Sequence, residues 1–403
     1  MSEFKDMSEL RGLLSLRGKV KNIVIFIADS LRFDYYPKEL EDYGLVVKCI
    51  AQSIFTPVSL ASIVTGLNPP RHMVKDFSVS IPSTIPTMFD LPVNVSYWDH
   101  PYDLLYRVLR RPPRIPLEKL QEPFIYVERR EETHVPYDPN YKDKPSGYRE
   151  YVKIVRRNKS KLISDYKKAV GRAFNIFLDR LNVLKRRGIL NRTLVIFLSD
   201  HGEILTEHGG LLFHNFPPCP ETVYVPLAMV HPDVERGLVK NIVVRHVDVF
   251  PTITQVLGLE LPVLTEGLSI IDILSKGVGV YGFNWYRRCR FKITTYSIWD
   301  KDGNGVVVIE SPLYLRLASA LGDTIRYTHT LHPLKFHKRV TVYGDGINKW
   351  KEVIKIFRSI PTYGIKNNLM LSPINAAWVR ERTRMKLLSR IRRVKESLKS
   401  SKD

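Results

Sequence analysis

The chain has 403 residues, 44% of them apolar, with 62 lysines and arginines against 41 acidic residues and a formal charge of +21. That apolar share excludes a disordered chain and supplies a core for one large α/β domain with additions, or for two domains. The charge points to an anionic partner or substrate without distinguishing nucleic acid, a membrane surface or small phosphate esters.

The opening segment MSEFKDMSELRGLLSLRGKVK mixes both signs of charge and lacks the apolar core of a signal peptide. No later segment offers the roughly 20 apolar residues that span a bilayer. Cys49, Cys219 and Cys289 are odd in number and far apart. They support neither a disulfide framework nor a zinc knuckle, and a reduced, cytoplasmic protein is expected. Glutamine occurs only at Gln52, Gln121 and Gln255 beside abundant lysine and arginine, a bias that fits a thermophile.

NIVIFIA, residues 22–28, is a short, continuous, β-branched apolar run, the pattern of a strand buried on both faces of a parallel sheet, and it ends in Asp29. TPVSLASIVTG then opens with Thr56 before a proline and reads as a helix start. PFIYVERREETHVPYDP supplies a second buried strand over 124–127 and a polar loop with His134. In YKKAVGRAFNIFLDRLNVLKRRGIL the residues Val170, Phe174, Phe177, Leu178, Leu181 and Leu184 recur at helical intervals, with Gly188 near the stop. This crossover helix feeds TLVIFLS, a buried strand over 193–199 that ends in Asp200, His201 and Gly202. VRHVDVFPTITQVLGLELP reads as a turn into a short helix closed by Gly258. Beyond about Lys276, runs such as GVVVIES and RVTVYGD indicate a smaller α+β part. From Asn375 a basic tail places Leu387, Ile391, Val394 and Leu398 on one face if helical. Docking on an anionic membrane, nucleic-acid binding and packing on the core are all open to it.

Two buried parallel strands that deliver acidic residues at their carboxyl ends mark the place where open α/β sheets build ligand sites. A hard divalent metal takes carboxylates and a borderline one takes imidazole. Asp29, Asp200 and His201 offer that mixture. Thr56, at a helix start that favours anions, would set a hydroxyl beside the metal, which lowers its pKa and makes it a nucleophile. Each residue alone also has a structural role, a strand-end aspartate or Thr56 serving as a helix cap; the joint arrangement is less easily accidental.

At these residues the chain resembles the sulfatase-like branch of the alkaline phosphatase superfamily. NIVIFIADSLRFD is similar to its first metal-bearing strand, TPVSLASIVTGLNPPRHMV to its nucleophile helix and SDHGEILTEHGG to its second metal motif. VRHVDVFPTI and EGLSIIDIL match later landmarks, so the likeness covers most of 22–274 in the family's order. The resemblance implies a mixed, mostly parallel sheet flanked by helices. Residues 20–275 would form the catalytic core, 276–374 an α+β part completing the fold, and 375–403 a basic helical tail. It implies metal ligands at Asp29, Asp200 and His201, with Thr56 as a nucleophile that also touches the metal. His134 and His214 fall where the superfamily puts substrate contacts, leaving-group acids or second-metal ligands. His208 is a weaker candidate, and His246 with Asp248 a structural landmark.

The departures bear on the reaction. Sulfatases carry Cys or Ser in a C/S-x-P-x-R signature that is oxidised to formylglycine, whereas the aligned positions here are Thr56, Val58 and Leu60. Threonine cannot yield that aldehyde, and a threonine nucleophile resembles phosphodiesterases and lipoteichoic acid synthases, which pass through phosphothreonine. Asp29 is followed by Ser30 rather than a second acid, which fits one divalent metal, Mn, Mg, Zn or Ca. A second metal would use Glu131, His134 and His214. The expected function is a metal-dependent hydrolase or transferase of an anionic phosphate ester. The alternatives are a sulfatase-like sulfuric ester hydrolase and a non-catalytic binder of anionic surfaces or nucleic acid.

Overall fold

Seven consecutive residues of the first strand, β1 (Asn22–Ala28), are buried, and alternate side chains enter two different cores. This is what period-2 side-chain direction does to a strand covered on both faces. Ile23, Ile25 and Ile27 face one layer; Val24, Phe26 and Ala28 face the other. The computed structural model describes residues 11–344 apart from 100–102, 143, 215–217, 262–264, 281, 289–292 and 328–339. The basic tail expected at 375–403 lies outside the described residues.

The remaining strands are β2 (Leu45–Ile50), β3 (Asn94–Asp99), β4 (Phe124–Arg130), β5 (Thr193–Leu198), β6 (Ile204–Leu205), β7 (Leu212–Phe213), β8 (Tyr224–Val230), β9 (Gly237–Arg245), β10 (Gly282–Arg288), β11 (Ile293–Trp299), β12 (Gly305–Glu310) and β13 (Val340–Tyr343). Seven form the central sheet in the order β3-β4-β1-β5-β8-β2-β9. Only β8 runs against its neighbours, so the sheet is mixed and mostly parallel. β10 to β13 make a separate antiparallel sheet, and β6 pairs with β7 in a small hairpin. No helix among the described residues is long and apolar enough to cross a membrane.

One face of the central sheet is covered by helices Thr56–Thr65, Val249–Leu257 and Ile270–Lys276, which bring Ile63, Val64, Ile253 and Ile273 onto the odd residues of β1. The other carries the long helix Lys159–Arg186, whose Tyr166, Ala173, Phe174 and Phe177 form the apolar stripe expected from their spacing. Phe177 packs edge-on to Phe197 at 5.1 Å, and Phe26 stacks on Phe197 at 5.6 Å. The smaller sheet is joined to the core by Trp299 and Val307, which pack with Ile50, Ile54 and Val243.

The long helix also neutralises a charge inside the sheet. Glu128 on β4 is fully buried, and the Arg180 guanidinium donates to both its oxygens at 2.6 and 2.9 Å. Removing one partner of a buried pair leaves an uncompensated charge. Arg180→Met should therefore lower stability by about 3–5 kcal/mol, and Arg180→Met/Glu128→Gln should regain much of that loss in denaturant titrations. A double variant no more stable than the single one would show that Arg180 acts by packing instead.

Candidate active site

β1 and β5 are parallel neighbours in register, Ile27 opposite Leu198, so the residues that follow them emerge side by side at the carboxyl edge. A network of short-range bonds then fixes the two loops. The Ser30 amide donates to Asp200 Oδ1 at 3.0 Å, the Leu31 amide to Ser199 Oγ at 2.8 Å, and Ser30 Oγ to Asp29 Oδ1 at 2.7 Å. Ser30 sits at φ 63°, left-handed backbone that costs a non-glycine residue energy and persists only where its surroundings enforce it. The enforcement includes Tyr166, whose hydroxyl donates to the Ser30 carbonyl at 2.7 Å and accepts from the Arg32 amide at 3.0 Å.

Thr56 opens its helix with Pro57 in the first turn, and Gly66 closes it in the left-handed region that glycine adopts freely. The Thr56 side chain is buried. Its Oγ1 lies 3.4 Å from Asp29 Oδ2 and 3.2 Å from His201 Nε2. His201 Nδ1 lies 3.0 Å from the Gly202 carbonyl, a pure acceptor, which puts the ring proton on Nδ1 and leaves Nε2 bare toward Thr56. The same tautomer is the one a metal requires.

Asp29, Asp200 and His201 each aim a donor atom into one buried cluster spanning no more than 4.8 Å. Asp200 Oδ2 is buried and accepts no hydrogen bond, an unusual state for a buried carboxylate oxygen. That orphaned oxygen, together with a second carboxylate and a neutral imidazole, fits a divalent cation of hard to borderline character. Burial, then the Asp29 charge beside it, pushes the Asp200 carboxyl up to about 7. Burial and the neighbouring His214 bring His201 down to about 4. For Asp29 burial works upward, but Arg129, His134 and His201 outweigh it and hold the carboxyl well below its usual range.

Several residues of this site were not singled out in the sequence. Arg129, at the end of β4, is buried between Asp29 and Asp99, donating to Asp29 Oδ2 and, at 2.8 Å, to Asp99 Oδ1. Glu203 is fully buried; one oxygen lies 3.0 Å from His214 Nδ1 and the other accepts from the Tyr137 hydroxyl at 2.8 Å. Lys142, bonded to the Glu131 carbonyl, is a further cation beside His134. Only Glu203 left a local trace, two residues past His201 in SDHGE.

The His214 ring lies 4.6 Å from that of His201 and 5.2 Å from that of His134. Burial makes His134 neutral, with its pKa down to about 3. For His214 burial works the same way, but the Glu203 carboxylate prevails and raises it. The expectation of a second metal at Glu131, His134 and His214 is corrected. Among the described residues these three do not form a cluster of converging donors, and His214 Nδ1 is engaged by Glu203. His208 lies outside the Asp29 cluster, paired with Glu221 at 2.8 Å. His246 Nε2 donates to the Ser199 carbonyl at 2.8 Å, while Asp248 binds Arg245 and the Leu268 amide, both structural bonds.

A sulfatase family model matches residues 99–259. The chain is 29% identical over 329 residues to the low-salt glycan biosynthesis sulfotransferase Agl7 of Haloferax volcanii, covering 76% of this chain and 78% of that relative. In structure it is similar to a 2-O GAG sulfatase, with a TM-score of 0.61 at 12% identity over 85% of this chain and 91% of the other. It is also similar to the phosphonate monoester hydrolase of Agrobacterium radiobacter, with a TM-score of 0.56 at 13% identity over 71% and 87%.

The cluster generates one direct expectation. Asp200→Asn keeps the size of the side chain but removes the anionic oxygen, so calorimetric titration with Mn²⁺ should show affinity at least tenfold weaker than wild type. Equal affinities would remove Asp200 from the ligand set. By its family domain and its fold the chain belongs to the sulfatase-like branch of the alkaline phosphatase superfamily, and it is an enzyme of that hydrolase and transferase group.

Proposed function

We propose that the chain is a metal-dependent hydrolase or transferase of phosphate esters that works through a covalent phosphothreonine on Thr56. The observation that carries this reading is the position of Thr56 Oγ1, buried at a helix start and within 3.4 Å of both Asp29 and His201. A hydroxyl held against the metal-ligand cluster is where a nucleophile belongs, and threonine has no route to the formylglycine of sulfatases. Asp29, Asp200 and His201 would hold the cation, which supplies Lewis acidity to the neighbouring hydroxyl and to the oxygens of the transferred group.

The residues then have distinct tasks. Thr56 Oγ1, ionised after losing its proton to solvent, attacks phosphorus, and the bond from phosphorus to the leaving oxygen breaks. His214, held by Glu203, gives that oxygen its proton. The neutral imidazole next takes a proton from water or from an acceptor hydroxyl, whose oxygen displaces Thr56 from phosphorus. Which of the two enters decides between hydrolysis and transfer. Arg129 and Lys142 supply positive charge for an anionic substrate, while neutral His134 offers it a hydrogen-bonding contact. A cytoplasmic location and contact of the 375–403 tail with an anionic membrane belong to the same reading.

A second reading rests on the Haloferax relative, whose name assigns it sulfuryl transfer in glycan synthesis. On that reading Thr56 or an acceptor hydroxyl would receive sulfate. The two are separated by assaying bis-(p-nitrophenyl) phosphate and p-nitrophenyl sulfate side by side. Thr56→Ala should lose several orders of magnitude in diester turnover, as expected for a nucleophile that works within a unit, while Thr56→Ser keeps part of it. Undiminished turnover in Thr56→Ala would leave water as the attacking group. Turnover of the sulfate alone would favour the second reading.

A further inference from the structure

A second cluster of metal-binding donors lies in the same long loop but apart from Thr56. His208, Cys219 and Glu221 place one donor atom each within 4.8 Å of one another. Cys219 is almost fully buried, while the His208 and Glu221 side chains are 16% and 20% exposed, so the three converge at an opening through which an ion can enter. Tetrahedral zinc at roughly 2.0–2.3 Å from sulfur, nitrogen and oxygen sets donor separations of about 3.3–3.8 Å. The cluster reaches that spacing with small rotations. Thiolate, imidazole and carboxylate are also the donors a borderline metal prefers.

The backbone around the cluster is built to hold its shape. Gly202 and Glu203 donate to the carbonyls of Thr222 and Glu221 at 2.9 and 3.0 Å, and a Cβ at Gly202 would lie 2.0 Å from the Glu221 carbonyl oxygen. Thr206, His208 and Phe213 all have left-handed backbone at φ 79°, 55° and 69°. Such conformations persist where the surroundings fix them. In the metal-free state the His208 ring meets Glu221 at 2.8 Å, and the thiol of Cys219 shares the same carboxylate.

We propose that His208 Nε2, Cys219 Sγ and a Glu221 carboxylate oxygen bind a zinc-class divalent cation that clasps the 202–222 loop behind the catalytic centre. Binding releases the Cys219 thiol proton and leaves His208 neutral with its proton on Nδ1, so the thiolate and carboxylate balance the two positive charges of the ion. A solvent molecule completes the coordination. Because Glu203 bonds to the Glu221 backbone and to His214, the clasp sets the position of His214 without touching substrate. The sequence argued against a zinc knuckle because its cysteines are scattered; one cysteine with a histidine and a glutamate escapes that rule.

The test is to titrate Co²⁺ into the chelator-treated full chain and record the sulfur-to-cobalt charge-transfer band. Wild type and Asp200→Asn should both develop the band, since the catalytic cluster has no sulfur, and Zn²⁺ should bleach it. Cys219→Ser should lose it, and Glu221→Gln should need at least tenfold more Co²⁺ to reach half intensity, a result that also serves if the serine variant fails to fold. No band in folded wild type, a band that survives in folded Cys219→Ser, or an unchanged titration of Glu221→Gln would each overturn the proposal.

Discussion

The structure turns on holding two carboxylates, Asp29 and Asp200, side by side and out of water. Each is fully buried, and bringing them together costs both desolvation and mutual repulsion. The fold meets that cost with placed hydrogen bonds and one buried cation. Amides of Ser30 and His201 donate to Asp200 Oδ1, and Arg129 takes one side of Asp29. What stays unsatisfied is Asp200 Oδ2, the oxygen a divalent cation would complete. The catalytic centre is in this sense a deliberate deficit of one positive ion.

That constraint explains features far from the reacting atoms. β1 and β5 must be adjacent and in register for Asp29 and Asp200 to meet. β4 must flank β1 on its other side for Arg129 to reach Asp29, and β3 must follow for Asp99 to hold the other branch of that guanidinium. The helix that begins at Thr56 is buried along its whole length and packs on the odd face of the sheet, so its first residue cannot drift from the strand ends. Rigid placement of this kind is what lets a weakly acidic hydroxyl act as a nucleophile.

What could be read in the sequence was what has a short signature. β1 and β5 announce themselves as apolar runs ending in acids, and the long helix follows from Phe174, Phe177, Leu181 and Leu184. Gly258 closes its helix where the pattern stops, in left-handed backbone at φ 68°. β2 (LVVKCI), β3 (NVSYWD) and β8 (YVPLAMV) are short and carry little pattern, and they were not anticipated. Arg129 was missed for a different reason: VERR reads as an exposed strand end, and its burial depends on which strand lies next to β4. Pairing between distant strands has no local signal. The reading of Glu131, His134 and His214 as a metal site failed similarly, because Glu203, hidden two residues beyond the metal motif, claims His214.

The account stands or falls on what Thr56 carries during turnover. Full-length protein would be mixed with excess bis-(p-nitrophenyl) phosphate and Mn²⁺, quenched in acid within a turnover and mapped by peptide mass spectrometry. The account predicts a phosphoryl adduct on Thr56 alone, reduced by an acceptor alcohol that speeds its release. Burst release of p-nitrophenol with no modified Thr56 peptide, or with the adduct on another side chain, would contradict it.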